Sequence, residues 1–326
     1  MPKFYYDWKL SDGFPADGVD NHGSTVFSTF SCGGGSSMGY KLAGFDVVAA
    51  NDIDPKMQMV YEKNHHPSQY ILADIRDLLD REDLPEVDLL DSSPPCTTFS
   101  IAGKWDKSWG VEKKFREGQS RQTLDDLFFE TIKLVGKMRP KVFVGENVKR
   151  ITQGKAKYYT QEVVRRLESL GYTVQVFVLN SADTGVPQRR ERAFFIANRM
   201  GKKIDLKFNE KHVTLREISD ESDEESNLTD TYRKYWHEAG IEEPVGKFAA
   251  RRKLGYDNVP RTATATHVNY HPRVPRELNL GEQMKVSSWP TDYDFCGLKP
   301  HYVMGMSVPP VFMANVAHEI YEQLLK

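Results

Sequence analysis

The sequence predicts an α/β fold built on a parallel sheet, and three observations carry that prediction. Short apolar, β-rich runs alternate with amphipathic stretches from residue 25 to about 200, as strands and crossover helices do in βαβ units. The first of these strands runs straight into a glycine-rich turn, Phe30-Ser31-Cys32-Gly33-Gly34-Gly35, that opens a helix. Acidic or reactive side chains then follow the ends of later strands, where open α/β sheets hold their ligands.

Strands are expected at residues 26–30, 47–51, 70–72, 87–91, 142–146, 174–180 and 193–198, with helices fitting between them at 38–43, 55–63, 120–138 and 159–170. The stretch 103–119, rich in Lys, Gly and Ser and without a steady apolar period, breaks the rhythm and reads as a long loop of the kind that serves as a lid. Beyond Asn198 the character changes to an acidic run at 217–225 and basic-aromatic clusters at 232–237 and 247–253. A small second domain is therefore expected over 199–299, with 1–198 and 300–326 forming the first. The closing amphipathic stretch, 311–325, follows Pro309-Pro310, a usual helix start, and is expected to pack back onto the first domain.

With 326 residues, 39% of them hydrophobic, the chain can bury a sizeable core and has room for two domains. A formal net charge of −2 excludes a global basic field, so a nucleic-acid partner would have to be held by local patches. Cys32, Cys96 and Cys296 form neither a disulfide framework nor a four-thiolate zinc site, and His65, His66, His267, His271 and His301 lack metal spacing, so no metal is expected. The opening MPKFYYDWKLSDGFPADG has no apolar leader, and nowhere do roughly 18 apolar residues run together, so a soluble, cytoplasmic protein is expected.

Chemistry concentrates after the strands. A nicotinamide fingerprint counted from Gly33 and Gly35 needs a third glycine where Met38 stands, which disfavours a dinucleotide. Asp52, at the end of the second strand, is placed for ribose hydroxyls, and Asp74, after the third, for an adenine amino group; together with the turn they indicate an adenosine-containing cofactor. The fourth strand leads into Ser92-Ser93-Pro94-Pro95-Cys96-Thr97-Thr98-Phe99-Ser100, where the prolines fix the backbone before a thiol at the sheet edge. Glu146 ends the next strand, and Arg190 and Arg192, two apart in an extended segment, can point the same way. Thiol, carboxyl and guanidinium on one rim make a nucleophile, a proton donor and an orienting clamp.

In order and spacing these motifs resemble the cytosine-5 DNA methyltransferase family over nearly the whole chain. Phe30 to Gly35 resembles its cofactor loop, Pro94-Pro95-Cys96 with Phe99-Ser100 its nucleophile motif, and Glu146-Asn147-Val148 its E-N-V. Gln188, Arg190 and Arg192 match Q-x-R-x-R, and Ser120-Arg121 to Leu124 resembles a cofactor-contacting helix start. Arg276-Glu277-Leu278 through Glu282 to Trp289-Pro290 resembles the motif closing the target-recognition region, and Gly305-Met306-Ser307-Val308-Pro309-Pro310 the final motif.

The resemblance implies a Rossmann-like S-adenosylmethionine-dependent methyltransferase sheet with a small target-recognition domain. It implies Cys96 as nucleophile, Glu146 as proton donor at N3, Arg192 as clamp on O2 and Arg190 as its support. For the cofactor it implies Phe30, Ser31, Cys32, Gly33, Gly34, Gly35, Asp52, Ile53, Asp74, Ile75, Pro95, Leu124, Met306, Ser307 and Val308. Ser100, Gln188, Tyr232, Arg233, Lys234, Lys247, Arg251 and Arg252 are the expected substrate contacts. Double-stranded DNA with a flipped-out base is the implied partner, and a cognate restriction endonuclease one that activity does not require. Three residues depart from the pattern: Cys32 replaces the first loop glycine, Asp52 a glutamate and Met306 an asparagine. A tRNA cytosine-5 methyltransferase shares these catalytic motifs, and a catalytically silent DNA-binding relative would share the fold; substrate choice separates the first, and the intact Cys96, Glu146 and Arg192 argue against the second.

Overall fold

The structure, a computed structural model, describes residues 2–95, 127–154, 156–219, 228–247 and 251–326. Cys96, Ser100, Leu124, Phe248 and the stretch 103–119 lie outside the described residues. Among the described residues one sheet holds β1 (Thr25–Thr29), β2 (Asp46–Asp52), β3 (Gln69–Leu72), β4 (Leu89–Ser92), β5 (Val142–Val148), β6 (Thr173–Asn180) and β7 (Glu191–Asn198) in the order β3-β2-β1-β4-β5-β7-β6. Each expected strand is present. The sheet is not all parallel, however: β7 runs antiparallel to both β5 and β6. A parallel pair needs a crossover of a dozen or more residues. The link from β6 to β7 holds only the short 3-10 turn Ser181–Thr184, closed by Gly185 at φ 78, so the chain reverses as a hairpin.

Among the described residues four helices follow the strands: α1 (Gly35–Leu42), α2 (Pro55–His65), α3 (Leu127–Met138) and α4 (Ala156–Ser169). Asp54 starts α2 by accepting the Lys56 amide at 2.9 Å, with Pro55 in the first turn, where its missing N–H has no helical partner to lose. Strand alternation sorts the core onto two faces. Val26, Val47, Phe194 and Ile196 face one cluster with Met38, Trp289 and Phe312, while Phe27, Leu90, Phe143 and Phe195 face the other with Ile132 and Val163. The expected C-terminal helix runs as α9 (Pro310–Ile320) and ends in a wider turn over Tyr321–Leu325. It lies against α1 so closely that a Cβ on Gly39 would come within 2.4 Å of the Met313 Cβ.

Beyond β7 come α5 (Leu215–Ile218), α6 (Asp230–Glu238), α7 (Leu280–Val286) and α8 (Pro300–Met306). Two small apolar clusters form here, one of Val213, Leu215, Ile218, Leu254, Leu278 and Val286, the other of Trp236, Val245 and Tyr270. Ile204, Leu206, Trp289, Tyr293 and Phe295, also within 199–299, join the main core instead. Arg276 and Glu282 form a buried ion pair at 2.6 Å, and Asn279 caps α7 by accepting the Glu282 amide at 2.8 Å.

In the middle of β4, buried Asp91 accepts from Ser28 Oγ at 2.8 Å and Tyr40 Oη at 3.2 Å. Burial, which outweighs those two bonds, pushes its carboxyl up to about 7. The folded chain therefore binds this proton more tightly than the unfolded chain, and the Asp91 contribution to stability falls as pH rises from about 4 to about 7. Asp91→Asn, which cannot ionise, is expected to flatten that slope. Its melting temperature should gain on the wild type's as pH rises through this window, and a constant difference would rule the assignment out.

Candidate active site

The turn after β1 is shaped by left-handed backbone at Phe30 (φ 52), Cys32 (φ 48) and Gly34 (φ 82), unusual for the two non-glycine residues. Protein fills the space a side chain would need on the glycines. A Cβ on Gly33 would lie 2.3 Å from Val303 Cγ1, one on Gly34 2.1 Å from His65 Nε2, and one on Gly35 2.2 Å from the Val308 carbonyl. The Gly33 carbonyl accepts from Tyr293 Oη at 2.6 Å and from His65 Nε2 at 3.3 Å. Burial keeps His65 well below its ordinary pKa, so it donates as the neutral ring. These glycines let α2, Tyr293 and the Ser307-Val308 segment dock beneath the turn.

Cys32 donates its amide to Asp52 Oδ2 at 2.9 Å, and Asp52 Oδ1 takes the Asp54 amide at 3.0 Å. The Ile53 amide also bonds this carboxylate, which keeps acceptor capacity beyond these three bonds. The Cys32 thiol sits 3.5 Å from Met57 Sδ, and burial pushes it up to about 12, which leaves it a neutral, inert thiol. Asp74 is held by the Arg76 amide at 2.9 Å and its guanidinium at 3.0 Å. Ile75 is buried in the core. Asn51, which the sequence reading passed over, ties β2 to the end of β3 by donating to the Ile71 and Ala73 carbonyls at 2.8 and 2.9 Å. Its only sequence signal was its place beside Asp52.

At the carboxyl end of β5, Glu146 meets Arg192 Nε at 3.0 Å, both side chains mostly buried. In the β5–β7 ladder Glu146 stands opposite Phe194 and Val148 opposite Arg192, so the two charges are diagonal neighbours on one face. Asn147 turns to the other face and donates to the Pro94 carbonyl at 3.2 Å, fixing the backbone just before Pro95. The structure thus joins two of the expected catalytic groups and anchors the chain two residues ahead of Cys96.

Gln188 and Arg190 bond to backbone far along the chain, Arg190 while close enough to Glu146 and Arg192 for their charges to act on it. Gln188 is buried, donating to the Val286 carbonyl at 3.0 Å and accepting the Ala263 amide at 3.2 Å, so it braces backbone on both sides. Arg190 donates to the Ala263 and Gly305 carbonyls, each at 3.2 Å. Gly305 is pressed against this joint, a Cβ there lying 2.2 Å from the Ala265 amide nitrogen. Gly305→Ala must push backbone apart and is expected to destabilise the fold by about 1–3 kcal/mol, readable as a lowered urea midpoint at unchanged slope.

Met306 is 42% exposed, whereas Ser307 and Val308 are buried, Ser307 donating to the Val303 carbonyl at 2.9 Å. In the segment beyond β7, Lys234 and Lys247 are exposed, and Tyr232 and Arg233 half-buried. Arg251 lies over the Tyr232 ring at 5.4 Å and reaches His267 Nδ1 at 3.4 Å, while Arg252 donates to the Glu242 carbonyl at 2.6 Å.

Among the described residues no group of three or more metal-ligating side chains occurs, and no helix is long and apolar enough to cross a membrane. The fold is shared with solved structures of low sequence identity. The Entamoeba histolytica methyltransferase EhMeth matches at TM-score 0.65 and 16% identity over 93% of this chain and 99% of that one. A Spodoptera frugiperda DNMT2 mutant matches at 0.66 and 17% over 93% and 100%. The Type II methyltransferase M.Bsp6I of Bacillus sp. (strain RFL6) is 27% identical over 92% of this chain and 99% of its own length. M.FnuDI of Fusobacterium nucleatum is 34% identical over 53% of this chain, a match that spans 46% of that relative. The family model for C-5 cytosine-specific DNA methylases matches residues 24–240, and with motif order, sheet and rim in agreement the chain belongs to that family.

Proposed function

We propose that the protein methylates carbon 5 of a flipped-out cytosine in double-stranded DNA at a specific short sequence, through a covalent adduct with Cys96. The observation that carries this reading is the Glu146–Arg192 pair on the rim, beside the Asn147 anchor of the nucleophile segment. Carbon 5 of cytosine is a poor nucleophile until a thiolate bonds to carbon 6 and makes the ring enamine-like. Cys96 supplies that thiolate, Glu146 holds a proton at N3, and Arg192, fixed by Glu146, meets O2. Loss of the carbon 5 proton then expels Cys96 and restores the ring.

S-adenosylmethionine is the methyl donor of this family, and when bound it supplies the electrophilic methyl group. The residues present fit it. Asp52 has acceptor capacity left for ribose, Asp74 follows β3, and Ser93 Oγ is buried with no hydrogen-bond partner among the described residues. Phe30, Ser31, Cys32, Gly33, Gly34, Gly35, Ile53, Pro95, Met306, Ser307 and Val308 frame that space. Lys234, Lys247, Arg233, Arg251 and Arg252 give local positive charge for phosphates on a chain without a basic excess, as duplex binding requires. A cognate restriction endonuclease is a partner in this reading only where the enzyme serves a restriction system.

Nucleoside mass spectrometry after incubating duplex DNA and, separately, tRNA with the protein and S-adenosylmethionine tests the reading. 5-Methylcytosine in the DNA is the expected result; product confined to tRNA, or in neither, refutes it.

A further inference from the structure

Arg190 is placed unlike any other cation of the site. It is 3% exposed, makes no ion pair among the described residues, and keeps Nε without a partner. Its bonds go to two backbone carbonyls, Nη1 to Ala263 and Gly305 and Nη2 to Gly305, all at 3.2 Å. Burial and the nearby Arg192 disfavour its charge, with Glu146 opposing them in part. An arginine buried this way is costly, and what it achieves is to hold together segments 73 and 115 residues away.

Each segment leads to a different ligand surface. From Ala263 the chain runs to His267, which takes Arg251 Nε at 3.4 Å, and to Asn269, which accepts the Arg252 amide at 3.3 Å; these are the arginines of the recognition cluster. From Gly305 it runs to Ser307 and Val308, packed beneath Gly35 of the cofactor turn. The same joint is sewn by Arg189, whose amide donates to the Pro260 carbonyl at 2.8 Å and whose carbonyl accepts Thr262 Oγ1 at 2.7 Å.

We propose that Arg190 is a positioning residue that couples DNA binding at the recognition segment to cofactor binding at the glycine turn, by clamping the Ala263 and Gly305 carbonyls in one guanidinium. This rests on the proposed function. A planar fork reaches both carbonyls at once, whereas a lysine ammonium is a point charge that follows one. Arg190→Lys therefore keeps the charge and loses the link.

The test is a binding cycle with S-adenosylhomocysteine and a target duplex. In the wild type each ligand is expected to tighten the other at least about fivefold, by reciprocal linkage. In Arg190→Lys that factor falls below about twofold whatever each ligand's affinity alone becomes, a pattern that general loosening of the fold, which weakens each ligand without removing their linkage, does not give. An unchanged factor in Arg190→Lys, or a wild type that binds both ligands without coupling, overturns the role of Arg190. A wild type that binds neither overturns the proposed function, and this role with it. If Arg190→Lys does not fold, Thr262→Val loosens the same joint at an exposed bond; a wild-type coupling factor there reduces Arg190 to a structural brace.

Discussion

Cys96→Ser is expected to abolish methyl transfer, lowering kcat by roughly four orders of magnitude or more. A serine hydroxyl has nearly the same size but does not ionise near neutrality, so the bond to carbon 6 never forms. The change leaves the turn after β1 and the recognition segment untouched, and binding of S-adenosylhomocysteine and of duplex DNA should stay within a few-fold of wild type. The sharpest check is covalent capture. With S-adenosylmethionine present, a 5-fluorocytosine at the target accepts the methyl group and is left with no removable proton at carbon 5, so wild-type protein should stay attached to the duplex through denaturing electrophoresis, and Cys96→Ser should not. Comparable turnover in the serine variant, or capture by it, would move the nucleophile elsewhere. Cys32 is then a poor substitute, because its thiol is buried and held neutral.

The second large effect is expected from Glu146→Gln. Removing a positioned proton donor slows such reactions by about 10²–10⁴-fold. The amide still reaches Arg192 and fits the same space, so thermal stability should change little compared with activity. The pair makes the prediction more specific: Glu146 fixes Arg192 from the diagonal position across the ladder, so the glutamine variant should also bind the flipped base more weakly. Fluorescence of a 2-aminopurine beside the target, which brightens when its neighbour leaves the stack, reports that separately from turnover. A fall in activity below about tenfold would show that Glu146 only holds Arg192 in place.

What the sequence told about the fold came from periodicity. The seven strands stand where apolar β-rich runs stand, because a sheet buried on both faces demands such runs at positions like Leu89, Leu90, Val142 and Phe143. Direction was not legible in the same signal. Residues 191–198 carry the composition of a buried strand whichever way they run, and only the brevity of the link from Asn180 to Glu191 held the answer. The site divides similarly. Glu146 and Arg192 were readable because each follows or begins a strand at one rim. Gln188 and Arg190 share the motif, yet their partners, Ala263, Val286 and Gly305, lie so far along the chain that no local pattern announces them. The turn's glycines stand out in the sequence, but their packing against His65, Val303 and Val308 does not, because those partners lie far along the chain.

The reversal of β7 bears on which parts of this chain can be exchanged. Had β7 run with its neighbours, Arg192 would sit at the opposite edge of the sheet, roughly 25 Å away at about 3.3 Å per residue. Because it is reversed, Glu146 and Arg192 face each other across the directly paired β5 and β7, and the register of that ladder sets the distance between them. Segments between β7 and α7 can therefore be lengthened or swapped without altering that spacing, whereas one residue inserted within β7 turns Arg192 to the wrong face. The Glu146–Arg192 pair is in this sense a cassette of adjacent strands, whose geometry does not depend on the length of the segment that follows β7.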